Sequence, residues 1–221
     1  MKLRDFQKKI YDIYGLPDDR HFSVHDLLAN QNRFSMRALK GIRKKDKRKV
    51  KVNLIIAFCW TLAIANRLHI DLGNAVWKRF PNLCSYCGKS PCQCKKIRPK
   101  KRKKLKIISD GRPSNIREFQ QMFDKIYPAG KRTVIDAGTH LAEEAGETSE
   151  AISIYLGEHK KSQFKDIENE LADWTSTMFG LANSAKFNID NELEKNFKNG
   201  CHVCKRTPCQ CNFSHIAKFD S

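Results

Sequence analysis

The sequence predicts an all-α protein built from two tandem helical units, each ending in a four-cysteine metal site. The second half of the 221-residue chain repeats motifs of the first half, and the same cysteine pattern closes each half. Apolar residues also recur at helical spacing, with few strand signals. We therefore assign residues 1–94 to a first unit, residues 95–112 to a basic linker and residues 113–221 to a second unit.

Two offsets define the repeat. Residues 3–7 (LRDFQ) return 113 residues later as residues 116–120 (IREFQ). The dipeptide at 65–66 (AN) returns 117 residues later at 182–183, and the cysteine runs share that second offset. The change from 113 to 117 predicts a four-residue deletion in the first unit, between its two central helices.

Charge separates the two halves. Residues 1–110 carry 28 Lys and Arg against 8 Asp and no Glu, whereas residues 111–221 carry 14 basic and 16 acidic residues. The net charges are therefore +20 and −2. The first half is predicted to attract polyanions, and the second half holds the candidate acidic site.

Three helices are predicted in the second unit from apolar periodicity and capping residues. The first spans Val134 to Leu156, with Thr139 or Asp136 as its cap and Gly157 at its end. The stripe of the next helix runs from residue 167 to residue 181. The third has Asp190 as its predicted cap and continues through residues 192–197.

Four acidic residues border the apolar stripes of the first two helices. Glu144 and Glu147 are three residues apart and project from one side of a helix, and Glu170 and Asp173 repeat that spacing on the next. Such faces are often only solvated, but carboxylates that converge between packed helices repel one another unless a cation lies among them. Hard divalent cations take oxygen ligands, so the pattern predicts a Mg²⁺ site that handles phosphoanhydrides. Through the two offsets, the first unit has neutral residues at all four positions, namely Gln31, Phe34, Asn53 and Ile56.

This motif resembles that of the MazG-like nucleotide pyrophosphohydrolases, the all-α NTP pyrophosphatase superfamily. The resemblance covers residues 116–199 and, weakly, residues 3–82. It implies hydrolysis of a nucleoside triphosphate, or a related nucleotide, to the monophosphate and pyrophosphate with Mg²⁺ or Mn²⁺. It also implies that the four acids are the metal ligands, that Glu143 supports them, and that the degenerate first unit packs on the second as an internal partner in a pseudo-dimer helix bundle.

Basic residues that could hold the substrate phosphates are less clearly marked. Arg33 and Arg37 lie on the first-unit helix that matches the Glu helix, and they are candidates by position. Lys195 is a third candidate, but it recurs as Lys78 in the first unit, so a structural role is equally consistent with the pattern. A solvated basic face is the alternative for the two arginines.

Eight cysteines form two Cys-x2-Cys-x4-Cys-x-Cys sets. Thiolates at this spacing in a reducing compartment indicate metal rather than disulfides, and tetrahedral sites of this kind favour structural Zn²⁺, with iron as the alternative. His202, His215 or a partner chain could supply a ligand, because the Cys-x-Cys end is unusual. Cys59 is predicted to be a buried, inert thiol. The two predicted zinc sites, one per unit, comprise Cys84, Cys87, Cys92 and Cys94, and Cys201, Cys204, Cys209 and Cys211.

Two basic runs suggest further partners. Residues 40–51 contain 8 Lys or Arg, and residues 95–106 contain 9. The second run is predicted to be a flexible linker, and both runs could contact nucleic acid or an acidic protein. The competing function is therefore a non-enzymatic, zinc-containing scaffold that binds nucleic acid or a partner. The most apolar run, residues 54–65, is too short to span a bilayer, so we expect a cytoplasmic protein without membrane contact; homo-oligomer formation is left open.

Overall fold

The computed structural model describes residues 1–107 and 110–212. Within these ranges the regular structure is entirely helical, with nine α-helices, one 3₁₀ turn and no strand, so the predicted all-α class is confirmed. The first half contains α1 (Leu3–His21), α2 (Val24–Arg43), α3 (Lys47–Arg67), α4 (Leu72–Arg79) and the short α5 (Cys94–Ile97). The second half contains α6 (Ile116–Ile126), a 3₁₀ turn (Ala129–Lys131), α7 (Val134–Glu158), α8 (Lys161–Ser184) and α9 (Ile189–Phe197).

Matching capping boxes start α2 and α7. The Ser23 hydroxyl accepts from the backbone N–H of Asp26, and Thr133 and Asp136 form the same pair in the second half. Thr133 is thus the cap of α7, and Asp136, predicted as a cap, is its third residue. In α9 the cap is Asn188 rather than the predicted Asp190, which lies in the first turn.

The capping boxes fix how α2 and α7 correspond. Ser23 and Asp26 stand 110 residues before Thr133 and Asp136, and most buried positions along the two helices coincide at that same offset. Glu144 therefore corresponds to Phe34, and Glu147 to Arg37. The sequence-based pairing with Gln31 and Phe34 was displaced by three residues, because it carried the α1 offset through a connection of different length.

The core lies where α3 and α8 pack against each other, with α2 packed on α7 beside them. A row of aromatic rings links the halves, from Phe6 to Phe58, Phe179 and Phe123, with centroids 6.2, 6.4 and 5.6 Å apart. By length and composition alone, α3 could cross a membrane, but 72% of its most apolar window is buried inside the protein. That burial is the pattern of a core helix.

The two cysteine segments are exchanged between the halves. We call residues 84–94 the first knuckle and residues 201–211 the second knuckle. The N–H of Cys92 donates to the carbonyl of Ile126 at 2.7 Å, and the N–H of Cys209 donates to that of Ile13 at the same distance. Each knuckle therefore closes against the opposite half.

Candidate functional site

Three of the four predicted acids converge between α7 and α8. Carboxylate oxygens of Glu144, Glu170 and Asp173 all lie within 4.8 Å of one another, and we call these three residues the acid cluster. Asp173 is buried, while Glu144 and Glu170 are partly buried. Glu144 also accepts a contact from His140, whose Nε2 lies 3.3 Å from Oε1.

The acid cluster has unsatisfied acceptors. One oxygen of Glu144 and one of Glu170, Oε2 in both, are buried without a hydrogen-bond partner. Burial, followed by the negative charges of Asp173 and Glu144, raises the pKa of Glu170 to about 7. Burial also raises the pKa of Glu144. Buried acceptors without donors are costly, and these three carboxylates could hold a metal ion.

Asp173 already has cationic partners, which the sequence did not indicate. Arg79, at the end of α4, donates to both its carboxylate oxygens, from Nε at 3.0 Å and from Nη2 at 2.5 Å. Arg102, in the linker, donates to Oδ2 at 3.1 Å. Both arginines come from outside the second unit, so part of the acid cluster's charge is balanced by the first unit and the linker.

The other predicted acids lie further out. Glu147 and Glu143 are exposed, and Glu147 is outside the group of three oxygens that could share one ion. The negative charge of Glu147 also raises the pKa of Glu144 and Glu170, but less than burial and the charge of Asp173 do. Glu147 therefore lies near the acid cluster without belonging to it.

The basic residues predicted to hold phosphates lie outside the lining of the cavity beside the acids. The guanidinium groups of Arg33 and Arg37 both lie 5.5 Å from the ring centroid of Phe34, on the first half. Lys195 is exposed on α9. None of the three lines the cavity beside the acids.

A cleft of about 700 Å³ opens beside the acid cluster, and we call it the polar cleft. Glu144 and Asp173 line one side, and the first knuckle lines another. The remaining walls are largely basic, aromatic or hydroxylic. These lining residues include Lys95, Lys96, Arg102, Lys131, Arg132, Tyr86, Tyr127, Ser176 and Thr177.

The start of the basic linker folds back on the first knuckle. The N–H of Lys103 donates to the carbonyl of Tyr86 at 3.2 Å, and the guanidinium of Arg102 lies 4.1 Å from the centroid of the Tyr86 ring. Arg102 also donates to the Ser85 hydroxyl at 3.1 Å. The start of the predicted flexible linker therefore makes specific backbone and side-chain contacts at the cleft.

Both knuckles bring four thiols together. In the first, the sulfur atoms of Cys84 and Cys94 are 3.6 Å apart and those of Cys87 and Cys92 are 4.0 Å apart. In the second, the corresponding distances are 3.8 and 3.9 Å. A tetrahedral zinc site with Zn–S bonds of about 2.3 Å has sulfur atoms roughly 3.8 Å apart. Both clusters could therefore hold a zinc ion.

Backbone donors support this geometry. The N–H groups of Gln93 and Cys94 lie 3.4 Å from the sulfurs of Cys87 and Cys92, and the second knuckle repeats the arrangement. His202 lies 2.9 Å from the Tyr14 hydroxyl through Nδ1 and is not one of the clustered groups. His215, the other candidate ligand, lies outside the described residues. Cys59 is buried, as predicted, and burial raises its pKa.

Comparison of the chain with family models, with curated proteins and with solved structures finds no match.

Sequence reasoning missed the residues that the first half and the connecting segments bring to the acids. Arg79 and Arg102 are distant from Asp173 in sequence, and Arg132 precedes the predicted helix without any motif. The one available signal was asymmetry: Arg79 corresponds to Asn196 in the second half, so the repeat does not require arginine at that position.

Proposed function

We propose that this chain is a MazG-like, Mg²⁺-dependent nucleotide pyrophosphohydrolase that cleaves a nucleoside triphosphate, or a related nucleotide, to the monophosphate and pyrophosphate. The observation that best supports it is the pair of buried, unpartnered oxygens on Glu144 and Glu170, next to Asp173 and a cleft of about 700 Å³. We assign these three acids as the ligands for Mg²⁺ or Mn²⁺, with Glu147, on the next turn of α7, as the fourth candidate.

The chain's own groups would divide the work. A bound Mg²⁺ supplies Lewis acidity toward a phosphoryl oxygen and lowers the pKa of a water molecule. Glu144 and Glu170 present the free oxygens, and the Nε2 contact of His140 orients Glu144. Arg79 limits the negative charge of the cluster by pairing with Asp173.

The two units would act as a pseudo-dimer with one acidic site. The reciprocal bonds from Cys92 to Ile126 and from Cys209 to Ile13 support this arrangement, since corresponding residues make equivalent contacts in opposite directions. Each knuckle would hold one structural Zn²⁺, giving two per chain, which ties each tail to the other unit. Reduced thiolates of this kind suit the cytoplasm.

Purified protein should release pyrophosphate from at least one member of a panel of natural and modified nucleoside triphosphates, with Mg²⁺ or Mn²⁺ present. Glu144→Gln should abolish this release and also weaken Mg²⁺ binding measured by calorimetry without nucleotide. Glu150→Gln, an exposed change on the same helix, is the matched control. Absence of both turnover and Mg²⁺ binding would contradict the proposal.

One observation favours a second candidate, a non-enzymatic scaffold that binds nucleic acid or an acidic partner. Asp173 already pairs with two arginines, so part of the cluster's charge is balanced without a metal. The first half also has a large positive excess. A scaffold would bind polyanions with strong salt dependence and would not respond to Mg²⁺.

A further inference from the structure

The polar cleft contains cationic groups that the proposed metal chemistry does not use. Arg102 comes from the linker, whereas Lys131 and Arg132 come from the connection between α6 and α7. We call these three residues the cationic wall. They line the same cavity as Glu144 and Asp173.

Arg132 is the most informative member. Its Nε and Nη2 are buried without hydrogen-bond partners, and its guanidinium packs against Gly180 on α8, where any added Cβ would collide with it. Buried N–H groups without acceptors are costly unless an acceptor satisfies them, and an anion is one such acceptor. At the corresponding position in the first half, also directly before the capping residue, Phe22 packs on Trp60 with ring centroids 5.6 Å apart. The helical scaffold is therefore compatible with an apolar residue here, and the arginine needs another explanation.

Arg102 lines the same cleft from the linker. Its guanidinium stacks on Tyr86, 4.1 Å from the ring centroid, and donates to Ser85 and Asp173. Two of those partners belong to the first knuckle, so that knuckle positions a cation next to an acid of the second half. Val203 and His202 occupy the corresponding positions of the second knuckle.

We propose that the cationic wall binds the phosphate chain of a nucleoside triphosphate, so that the first knuckle and linker form the substrate-binding side of the second unit's site. This proposal rests on the function proposed above. Guanidinium groups bind phosphate oxygens through paired, charge-assisted hydrogen bonds, and a cleft of about 700 Å³ falls within the range of about 300–1,000 Å³ typical of ligand pockets. The wall replaces Arg33, Arg37 and Lys195 as the phosphate contacts.

The test uses inorganic tripolyphosphate as the probe, with calorimetric titration of the full-length protein at fixed free Mg²⁺. Arg102→Gln, Lys131→Gln and Arg132→Gln should each raise the Kd about tenfold, because each removes a charge-assisted contact. Arg33→Gln and Arg37→Gln should change it by no more than about twofold, since these residues lie outside the cleft. Lys131 is exposed, so its variant stays informative if Arg132→Gln folds poorly.

Pyrophosphate release measured in parallel separates the two proposals. If nucleotides are hydrolysed but the wall variants bind tripolyphosphate as tightly as the unaltered protein, the phosphate-binding role of the cationic wall is wrong and the proposed hydrolase activity is supported. If the wall variants bind tripolyphosphate more weakly but no nucleotide is hydrolysed, the phosphate-binding role is supported and the proposed hydrolase activity is wrong. A protein that neither binds tripolyphosphate nor hydrolyses a nucleotide overturns both.

Discussion

The polar cleft and its counterpart on the first half are built from corresponding positions, yet one measures about 700 Å³ and the other about 60 Å³. We call the smaller cavity the apolar pocket; it lies between the second knuckle, α1 and α3. Where the cleft has Glu144, Asp173 and Arg132, the pocket has Phe34, Ile56 and Phe22. Where the cleft has Ser176 and Thr177, the pocket has Cys59 and Trp60.

The difference shows what the scaffold tolerates when the acids are absent. Removing charged groups from a buried site leaves either unpaired partners or a cavity, and both cost free energy. In the first half, aromatic and aliphatic side chains fill the space that the acids and hydroxyls border in the second half. The lining of each cavity is therefore matched to itself, charged and polar in the cleft and apolar in the pocket. A single substitution that puts a residue of one cavity into the other should cost stability or activity.

The largest expected effect comes from replacing an acid of the polar cleft by the residue at the corresponding position of the apolar pocket. Asp173→Ile should lower pyrophosphate release at least about 1,000-fold, because it removes a proposed metal ligand and leaves Arg79 beside an apolar group. The measurement is steady-state release at saturating Mg²⁺, with thermal unfolding to confirm folding. Asp166→Asn, an exposed change on the same helix, should leave the rate unaltered. Retention of turnover in Asp173→Ile would remove this acid from the site.

The reverse exchange tests the pocket. Ile56→Asp should lower the free energy of unfolding by about 3–5 kcal/mol, since it buries a carboxylate among aromatic side chains. Denaturant titration measures this loss. Ile56→Val, which keeps the site apolar, should cost only about 0.5–1.5 kcal/mol. If the two variants were equally stable, the pocket would have to contain an unrecognised cationic partner.

The two knuckles provide a matched pair of variants. Cys92→Ser and Cys209→Ser should each lower the Tm by about 6–12 °C, corresponding to a loss of about 3 kcal/mol in a chain of this size. Only Cys92→Ser should also raise the KM for nucleotide, because the first knuckle borders the polar cleft. Equal changes in KM for both variants would show that the knuckles act only on stability.

The smallest expected effect is a pH dependence at the rim of the apolar pocket. Burial raises the pKa of Asp18 to about 7; the nearby charge of Asp19 adds to this and that of Arg67 opposes it. The folded pKa lies above the unfolded value of 3.8, so the stabilisation by protonated Asp18 is present below about pH 4 and is lost as the pH rises through about 7.

The free energy of unfolding of Asp18→Asn, measured relative to the unaltered protein by urea titration, should therefore rise by about 1–3 kcal/mol between pH 4 and pH 8. Asp19→Asn is the matched control, because the Asp19 side chain is half exposed and pairs with Arg67 at 3.0 Å. It should not show the same gain at high pH. If the difference in unfolding free energy between Asp18→Asn and the unaltered protein did not change with pH, this carboxyl would be solvated in the folded protein.

The parts of the fold that could be predicted from the sequence are those marked by a repeated pattern. Helical periodicity located α7 and α8, and the shared cysteine spacing located both clusters of thiols. The start of α7 at Val134 was predicted correctly, but its cap, Thr133, was missed. A capping residue acts through one local hydrogen bond, and Asp136 and Thr139 fit that role equally well by composition.

The acid cluster was partly predictable for the same reason. Glu144, Glu170 and Asp173 stand out against neutral residues in the other half. Their arginine partners do not, because Arg79 and Arg102 reach Asp173 through packing of α4 and the linker on α8, which no periodicity encodes. The cleft likewise depends on how the first knuckle folds over the second half.

The exchange of the knuckles makes the two halves depend on each other. The segment that covers the end of α1 or α6 comes from the other half, so each half alone would leave that surface uncovered. A chain cut within residues 95–112 would expose Ile13 or Ile126 together with the aromatic side chains around them, unless the pieces reassociated. The half without an acid cluster therefore cannot be discarded, since deleting it would remove a wall of the retained cleft. Mutual dependence of this kind would keep the first half in the chain although it has no acid cluster.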